Sequence, residues 1–210
     1  PKPIGTASLA QVHRATLKSS GEQLAIKVLL PGIKKQVQHN LKVIHSTIVL
    51  LQWFIGKRLK RLKLLSLYEE FAQSTYRELD LNNEAANASQ MKRLFDHPDG
   101  RLVIHKIYWD YTTTHVLVTE LMGGISIKHI DDINKRLSLK QRQCLAKQGV
   151  ELFFEQILSH RFFHADLHPG NILIDCQDKK KPCFQLIDFG IVGTLSVKDQ
   201  RYLAENLLAF

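Results

Sequence analysis

The sequence predicts an α+β protein of two lobes: a small β-rich N-lobe with a helical insertion, and a mainly helical C-lobe. Three observations lead there. Short β-prone runs open the chain, helix periodicity takes over from Ile44, and a pair of short strands lies inside the otherwise helical last third. Gly123-Gly124 reads as a flexible joint, so the domains are drawn as 1-122 and 123-210.

Each element has its own signal. Gln11 to Leu17 and Gln23 to Leu30 are strand-like runs joined by Ser19-Ser20-Gly21, which predicts a hairpin, and Pro31-Gly32 ends its second strand. Ile44, Ile48, Leu51, Ile55, Leu59 and Leu62 recur at spacings of three and four, which predicts a helix. A second helix is expected from Leu67 through Leu94, ended by Asp96-His97-Pro98-Asp99-Gly100. Leu102 to Ile107 and His115 to Leu121 read as strands. Ser138 with Gln141 makes a capping box opening a helix to about His160. Ile172 to Asp175 and Phe184 to Ile187 read as two strands around a polar turn.

Composition narrows the function. The 210 residues carry 29 Lys plus Arg against 20 Asp plus Glu, a formal net charge of +9. Nine basic residues and no acidic one fall between Gln23 and Tyr68, so the excess is local. A uniformly basic nucleic-acid binder is disfavoured, and no nucleic-acid motif is present. Cys144, Cys176 and Cys183 are too few and too irregularly spaced for a disulfide framework or a four-Cys zinc site, which predicts free thiols in a reducing compartment. His160, His164 and His168 share no continuous helical face, because Pro169-Gly170 follows, so no zinc site is expected. The chain begins at Pro1 without Met and ends at Phe210 inside the apolar pattern Tyr202, Leu203, Leu207, Leu208, so it is expected to be a piece of a longer protein. No run of about 18 uncharged apolar residues occurs.

The chemistry concentrates in His164-Ala165-Asp166-Leu167-His168-Pro169-Gly170-Asn171, followed 17 residues after Asn171 by Asp188-Phe189-Gly190. An Asp and an Asn five apart in a tight loop can converge on one site. There Asp166 orients or accepts a hydroxyl proton, and Asn171 ligates a divalent cation. Asp188, at a strand end, supplies a hard oxygen for Mg²⁺. This is phosphoryl-transfer chemistry, in which positioning and charge neutralisation do most of the work. The upstream half should then supply a Lys for the nucleotide phosphates, and Ala25-Ile26-Lys27-Val28 matches a kinase third-strand pattern. Lys27 needs a carboxylate partner, and spacing alone leaves Glu78, Asp80 and Glu84 open.

These residues resemble the UbiB (aarF-type) family of atypical kinase-like proteins, along essentially the whole chain, so the two-lobed fold is expected to be protein-kinase-like. Pro3-Ile4-Gly5-Thr6-Ala7-Ser8-Leu9-Ala10-Gln11-Val12-His13 resembles the family's alanine-rich nucleotide loop, Glu78-Leu79-Asp80 its Glu-x-Asp motif, and Glu84-Ala85-Ala86-Asn87 the helix that follows. The resemblance implies that Glu84 partners Lys27, that Glu78 and Asp80 belong to a family-specific insertion near the active site, and that Ile4, Gly5, Thr6, Ala7, Ser8, Lys27 and Glu120 bind ATP or ADP. It further implies a role in ubiquinone biosynthesis, with ubiquinone precursors and other proteins of that pathway as partners, at the cytoplasmic face of a bacterial inner membrane. The family's Lys-x-Gly-Gln motif and hydrophobic C-terminal anchor are absent from these residues.

Departures from ordinary protein kinases shape the expectation. Gly5-Thr6-Ala7-Ser8 stands where a Gly-x-Gly-x-x-Gly loop would be, and a loop with Cβ atoms is stiffer and approaches phosphate less closely. Ala165 replaces the Arg that pairs with a phosphorylated activation loop, and His168 stands where many kinases have Lys. A Mg²⁺-dependent small-molecule phosphotransferase or ATPase therefore fits better than a protein kinase, with Asp166, Lys27 and Glu84 as catalytic residues and Asn171 and Asp188 on the metal. The alternative is a non-catalytic scaffold that binds nucleotide to switch its grip on lipid or partners. Lys57, Arg58, Lys60, Arg61 and Lys63 lie beside Ile55, Leu59 and Leu62, a basic amphipathic pattern that suits an anionic membrane surface.

Overall fold

The computed structural model describes residues 2–55, 63–95, 100–178 and 181–209. It is α+β and two-lobed. The first sheet has the order β1-β2-β3-β5, built from β1 (Gly5–Thr6), β2 (Ala10–Thr16), β3 (Gln23–Leu29) and β5 (Val116–Glu120), with every neighbouring pair antiparallel. The expected hairpin is β2–β3, and Val12, Lys27 and Leu117 lie level across three strands.

The helical insertion differs from the expectation in two ways. Helix α1 spans Ile33–Ile55, starting well before Ile44. Its early turns are anchored by Ile33, Val37 and Leu41, buried at a spacing of four. The single helix expected over 67–94 is two, α2 (Leu64–Glu78) and α3 (Leu81–Leu94). Asp80 causes the break. It adopts φ −124°, ψ 100°, outside the helical region, and its carboxylate accepts the Asn82 backbone N–H, capping α3. Lys57, Arg58, Lys60 and Arg61 lie outside the described residues, and Lys63 immediately precedes α2.

A second sheet has the order β4-β9-β8-β6, from β4 (Leu102–Ile104), β6 (Ile125–Ser126), β8 (Ile172–Asp175) and β9 (Cys183–Leu186). β4 comes from the sequence before Gly123 yet pairs parallel with β9. A third, two-stranded ladder joins β7 (Phe162–His164) to β10 (Val192–Thr194). Strands this short leave almost no alternation to read in a sequence. The remaining helices are α4 (Ile130–Arg136), α5 (Leu139–Phe154) and α6 (Val197–Leu208). The Ser138–Gln141 capping box opens α5, and the turns from Glu155 to His160 widen to a π-helix.

Helix α3 ties the cores together. Leu81 and Ala85 pack into a cluster with Leu29, Ile33, Val37, Leu41, Ala72 and Leu117. Ala88 and Met91, farther along the same stripe, pack into another with Leu102, Ile104, Leu152, Phe162, Leu186 and Phe189. One helix thus fixes the first sheet against the second. Gly124, expected as part of a flexible joint, is a packing glycine. A Cβ there would sit 2.8 Å from Leu173 Cβ and 3.0 Å from the Ile174 carbonyl oxygen, and its N–H donates to Gln185 at 3.0 Å. All three cysteines are free thiols. Among the described residues no helix is long and apolar enough to cross a membrane.

Candidate active site

Strand and helix register bring the predicted residues together. The β8–β9 hairpin pairs Ile172 with Leu186, and the Ile187 N–H donates to the Asn171 carbonyl at 3.2 Å. Residues 17 apart in sequence, Asn171 and Asp188, are thereby placed at one end of one hairpin. The β7–β10 ladder repeats the effect on the other side. His164 pairs with Val192, and the Ala165 N–H donates to the Ile191 carbonyl at 3.1 Å, so the two loops run side by side.

At the centre lies Lys27. Its Nζ is 2.8 Å from both oxygens of Glu84 and 2.9 Å from Asp188 Oδ2. Of the three carboxylates that spacing left open, Glu84 is the one paired with Lys27. Asp80 caps α3 instead, and Glu78 ends α2. Glu78 nevertheless faces the site: its pKa is raised by partial burial and then by the nearby charge of Asp188, with Asp166 adding to it.

Burial decides the electrostatics. Glu84 is almost wholly buried, and desolvation pushes its carboxyl up to about 7 despite the attraction of Lys27. Burial works against the Lys27 ammonium, but Glu84 and Asp188 outweigh it and hold the pKa above the ordinary lysine value. Asp188 is opposed by burial too, yet Lys27 and the Gly190 N–H, which donates to Oδ1 at 2.9 Å, keep its carboxyl below the usual range.

Asp166 and Asn171 converge as expected. Asn171 Nδ2 donates to the Asp166 carbonyl at 3.1 Å and to its Oδ2 at 3.3 Å. Oδ1 of Asn171 carries no hydrogen bond among the described residues, and the 34% exposed Asp188 side chain lies at the same end of the β8–β9 hairpin, so the two offer hard oxygen donors. That donor set suits Mg²⁺.

Several contributors had only faint sequence signals. His164 is buried and links the two loops. Its Nδ1 accepts the Asp166 backbone N–H at 3.1 Å, which places the ring proton on Nε2, facing the Asp188 carbonyl oxygen. Burial lowers its pKa, which keeps the ring neutral in that tautomer. The rings of His105 and His164 flank buried Phe189, each with its centroid 5.5 Å away. Burial pushes His105 down to about 4. Asn87, one turn after Glu84, donates to the Phe189 carbonyl at 2.9 Å; that spacing was its signal. Buried Gln156 accepts the His164 N–H at 2.9 Å from within the π-helix, a register that no regular periodicity announces.

Two expectations stand apart from this cluster. Ile4 to Ser8 form an exposed edge, where the Ile4 N–H donates to Val12 at 2.8 Å and the Ala7 N–H to Ala10 at 2.9 Å, so those two donors are spent on the backbone. The Glu120 carboxylate accepts the Lys106 N–H at 3.3 Å and makes no contact with Lys27 or Asp188.

Comparison with known proteins identifies the family. The model of the ABC1 atypical kinase-like domain matches residues 1–210. A protein of Marinobacter nauticus named "Probable protein kinase UbiB" is 44% identical over 100% of this chain and 38% of its own length. Proteins of the same name from Cellvibrio japonicus and Azotobacter vinelandii are each 40% identical, over 99% and 100% of this chain. The chain spans about 38% of the length of these relatives.

Proposed function

The chain belongs to the ABC1 atypical kinase-like family, and from that premise we propose that it is the nucleotide-handling part of a Mg²⁺-dependent phosphotransferase or ATPase acting in ubiquinone biosynthesis. The observation that carries the reading is the triple contact of Lys27 with Glu84 and Asp188, at 2.8 and 2.9 Å, next to the Asp166–Asn171 loop. Its support from relatives is their shared name, "Probable protein kinase UbiB". We keep the division at residues 1-122 and 123-210 as a proposal, with nucleotide binding between the two parts.

The residues divide the work. Glu84 holds the Lys27 ammonium in the site, and Lys27 neutralises nucleotide phosphate. Asp188 and Asn171 would hold Mg²⁺, which when bound supplies positive charge against the phosphates. The Lys27–Asp188 pair must open for both groups to serve the nucleotide. Asp166 orients a hydroxyl or water and accepts its proton. His164 keeps the two loops in register through its two ring nitrogens. Ile4 to Ser8 and Glu120 are retained as nucleotide contacts that form on binding.

Turnover of ATP by the full-length protein tests this reading. Lys27→Ala and Asp188→Asn should each lower it by two orders of magnitude or more; unchanged turnover in both would overturn it. The scaffold alternative is favoured by one observation, the N–H groups of Ile4 and Ala7 being spent within the backbone. If Asp166→Asn supports ubiquinone production as well as the unaltered protein, that alternative replaces catalysis.

We also propose an anionic membrane surface as a partner, at the cytoplasmic face of a bacterial inner membrane. Val43 to Ile55 carry no charge, and Leu50, Trp53 and Phe54 on α1 with Leu67 and Phe71 on α2 are all more than half exposed. The surrounding stretch from Gln23 to Tyr68 has nine basic residues and no acidic one. Apolar anchors within a cationic segment match a bilayer interface of negative lipids.

A further inference from the structure

The catalytic loop lacks the lysine that stands two residues after the Asp in many kinases, and His168 occupies that position. The structure brings a lysine to the same place from elsewhere. A Cβ built on Gly170 would lie 2.9 Å from Lys128 Nζ and 2.5 Å from His168 Cε1. The ammonium and the imidazole therefore press on one face of Gly170 and are neighbours, and any larger residue at 170 would push them away.

The placement of Lys128 is anchored. Ser126 Oγ donates to the Pro169 carbonyl at 2.9 Å and accepts the Lys128 N–H at 3.3 Å. Ser126 is itself paired across the sheet with Leu173, just beyond the catalytic loop. The backbone that carries Lys128 is thus tied to the loop that carries Asp166 at Pro169, and to the strand that follows it at Leu173.

Both groups have unspent donors. His168 Nδ1 accepts the Gly170 N–H at 2.9 Å, so its proton sits on Nε2. Nε2 lies 3.9 Å from Asp166 Oδ2, too far for a hydrogen bond. Lys128 makes no ion pair among the described residues, and its side chain is exposed. The Lys128 ammonium, near the imidazole edge that meets Gly170, and the His168 Nε2 N–H, beside Asp166, both have donors to offer an oxyanion. A lone solvated lysine would need neither the Ser126 tether nor the glycine.

We propose that Lys128 and His168 form an oxyanion subsite beside Asp166, which binds a carboxylate or phosphate on the molecule presented to that aspartate. The proposal rests on the phosphotransferase reading only in calling that molecule an acceptor; the subsite itself stands on the geometry. It assigns the acceptor a chemical class: a hydroxyl compound with an anionic group close to the hydroxyl.

The test needs no nucleotide and no turnover, so its failure is separable from failure of the phosphotransferase reading. Benzoate and phenyl phosphate are titrated in parallel into the nucleotide-free chain. The imidazole resonances of His168, assigned with His168→Gln, are followed by NMR. Saturable shifts are expected with at least one probe, weakened about tenfold or more in Lys128→Gln and restored in Lys128→Arg. The tighter probe distinguishes a carboxylate-bearing from a phosphate-bearing acceptor. Lys128 is exposed, so its replacement leaves the fold intact, which the unchanged resonances of His105 and His164 will report. Shifts that do not saturate with either probe, or equal affinity in Lys128→Gln, would overturn the subsite.

Discussion

At the residue scale, the charge state of Glu84 turns on its burial. Glu84 is buried against one ammonium, and desolvation wins over attraction, so its carboxyl rises from 4.5 to about 7. The folded chain therefore holds a proton there that the unfolded chain releases near 4.5. The stability this group contributes is complete below pH 4.5 and is lost as pH rises through about 7. Denaturation of the chain between pH 4.5 and 7.5, compared with Glu84→Gln, measures it: the variant should flatten the fall, and parallel curves would remove Glu84 as its source. Lys27, Asp166, Asn171 and Asp188 were legible because each sits in a short motif whose residue types the chemistry demands. Glu84 was singled out only through family resemblance. Spacing could not separate it from Glu78 and Asp80, because the choice depends on a chain break that no periodicity contains.

At the element scale that break is the clearest lesson. The apolar pattern from Leu67 to Leu94 is helical on both sides of Asp80, so it reads as one helix. A single carboxylate accepting the Asn82 N–H at 3.0 Å caps a new helix there, α3. Asp80→Ala should cost about 1 kcal/mol in chemical denaturation, the ordinary value of an N-cap. No loss of stability would mean that packing of Leu81 and Ala85 alone sets where α3 begins. The first turns of α1 were missed for a related reason: Lys34-Lys35-Gln36 and Gln38-His39-Asn40 hide the widely spaced anchors Val37 and Leu41. The π-helix from Glu155 to His160 shifts Gln156 inward, where it meets His164. The strong motifs and the Ser138–Gln141 capping box thus survived the passage from sequence to structure, whereas the Asp80 cap and the register change inside the last helical turns did not.

At the scale of the molecule, the uneven charge and the exposed apolar side chains fall in one stretch of sequence. Basic residues outnumber acidic ones by nine to none from Gln23 to Tyr68, and Trp53 and Phe54 are 76% and 70% exposed in the same stretch. Co-sedimentation with vesicles rich in anionic lipid should fall severalfold when Trp53 and Phe54 are changed to Gln, and when Lys57, Arg58 and Lys60 are changed to Glu. Retention of binding in both sets would count against the membrane partner and leave a second copy or another protein as the occupant. Lys27 belongs to the same basic stretch in sequence but is spent on Glu84 and Asp188. Two sheets spanned by α3 and two loops held by short ladders bring Lys27 to Asp188 on the hairpin that also carries Asn171, and the proposed function sets these three around one nucleotide. Calorimetric titration of ATP with and without Mg²⁺ tests that claim most directly, on the unaltered chain and on Asp188→Asn. Mg²⁺ should strengthen binding at least tenfold in the unaltered chain and leave it unchanged in the variant. Equal enhancement by Mg²⁺ in both proteins would contradict it.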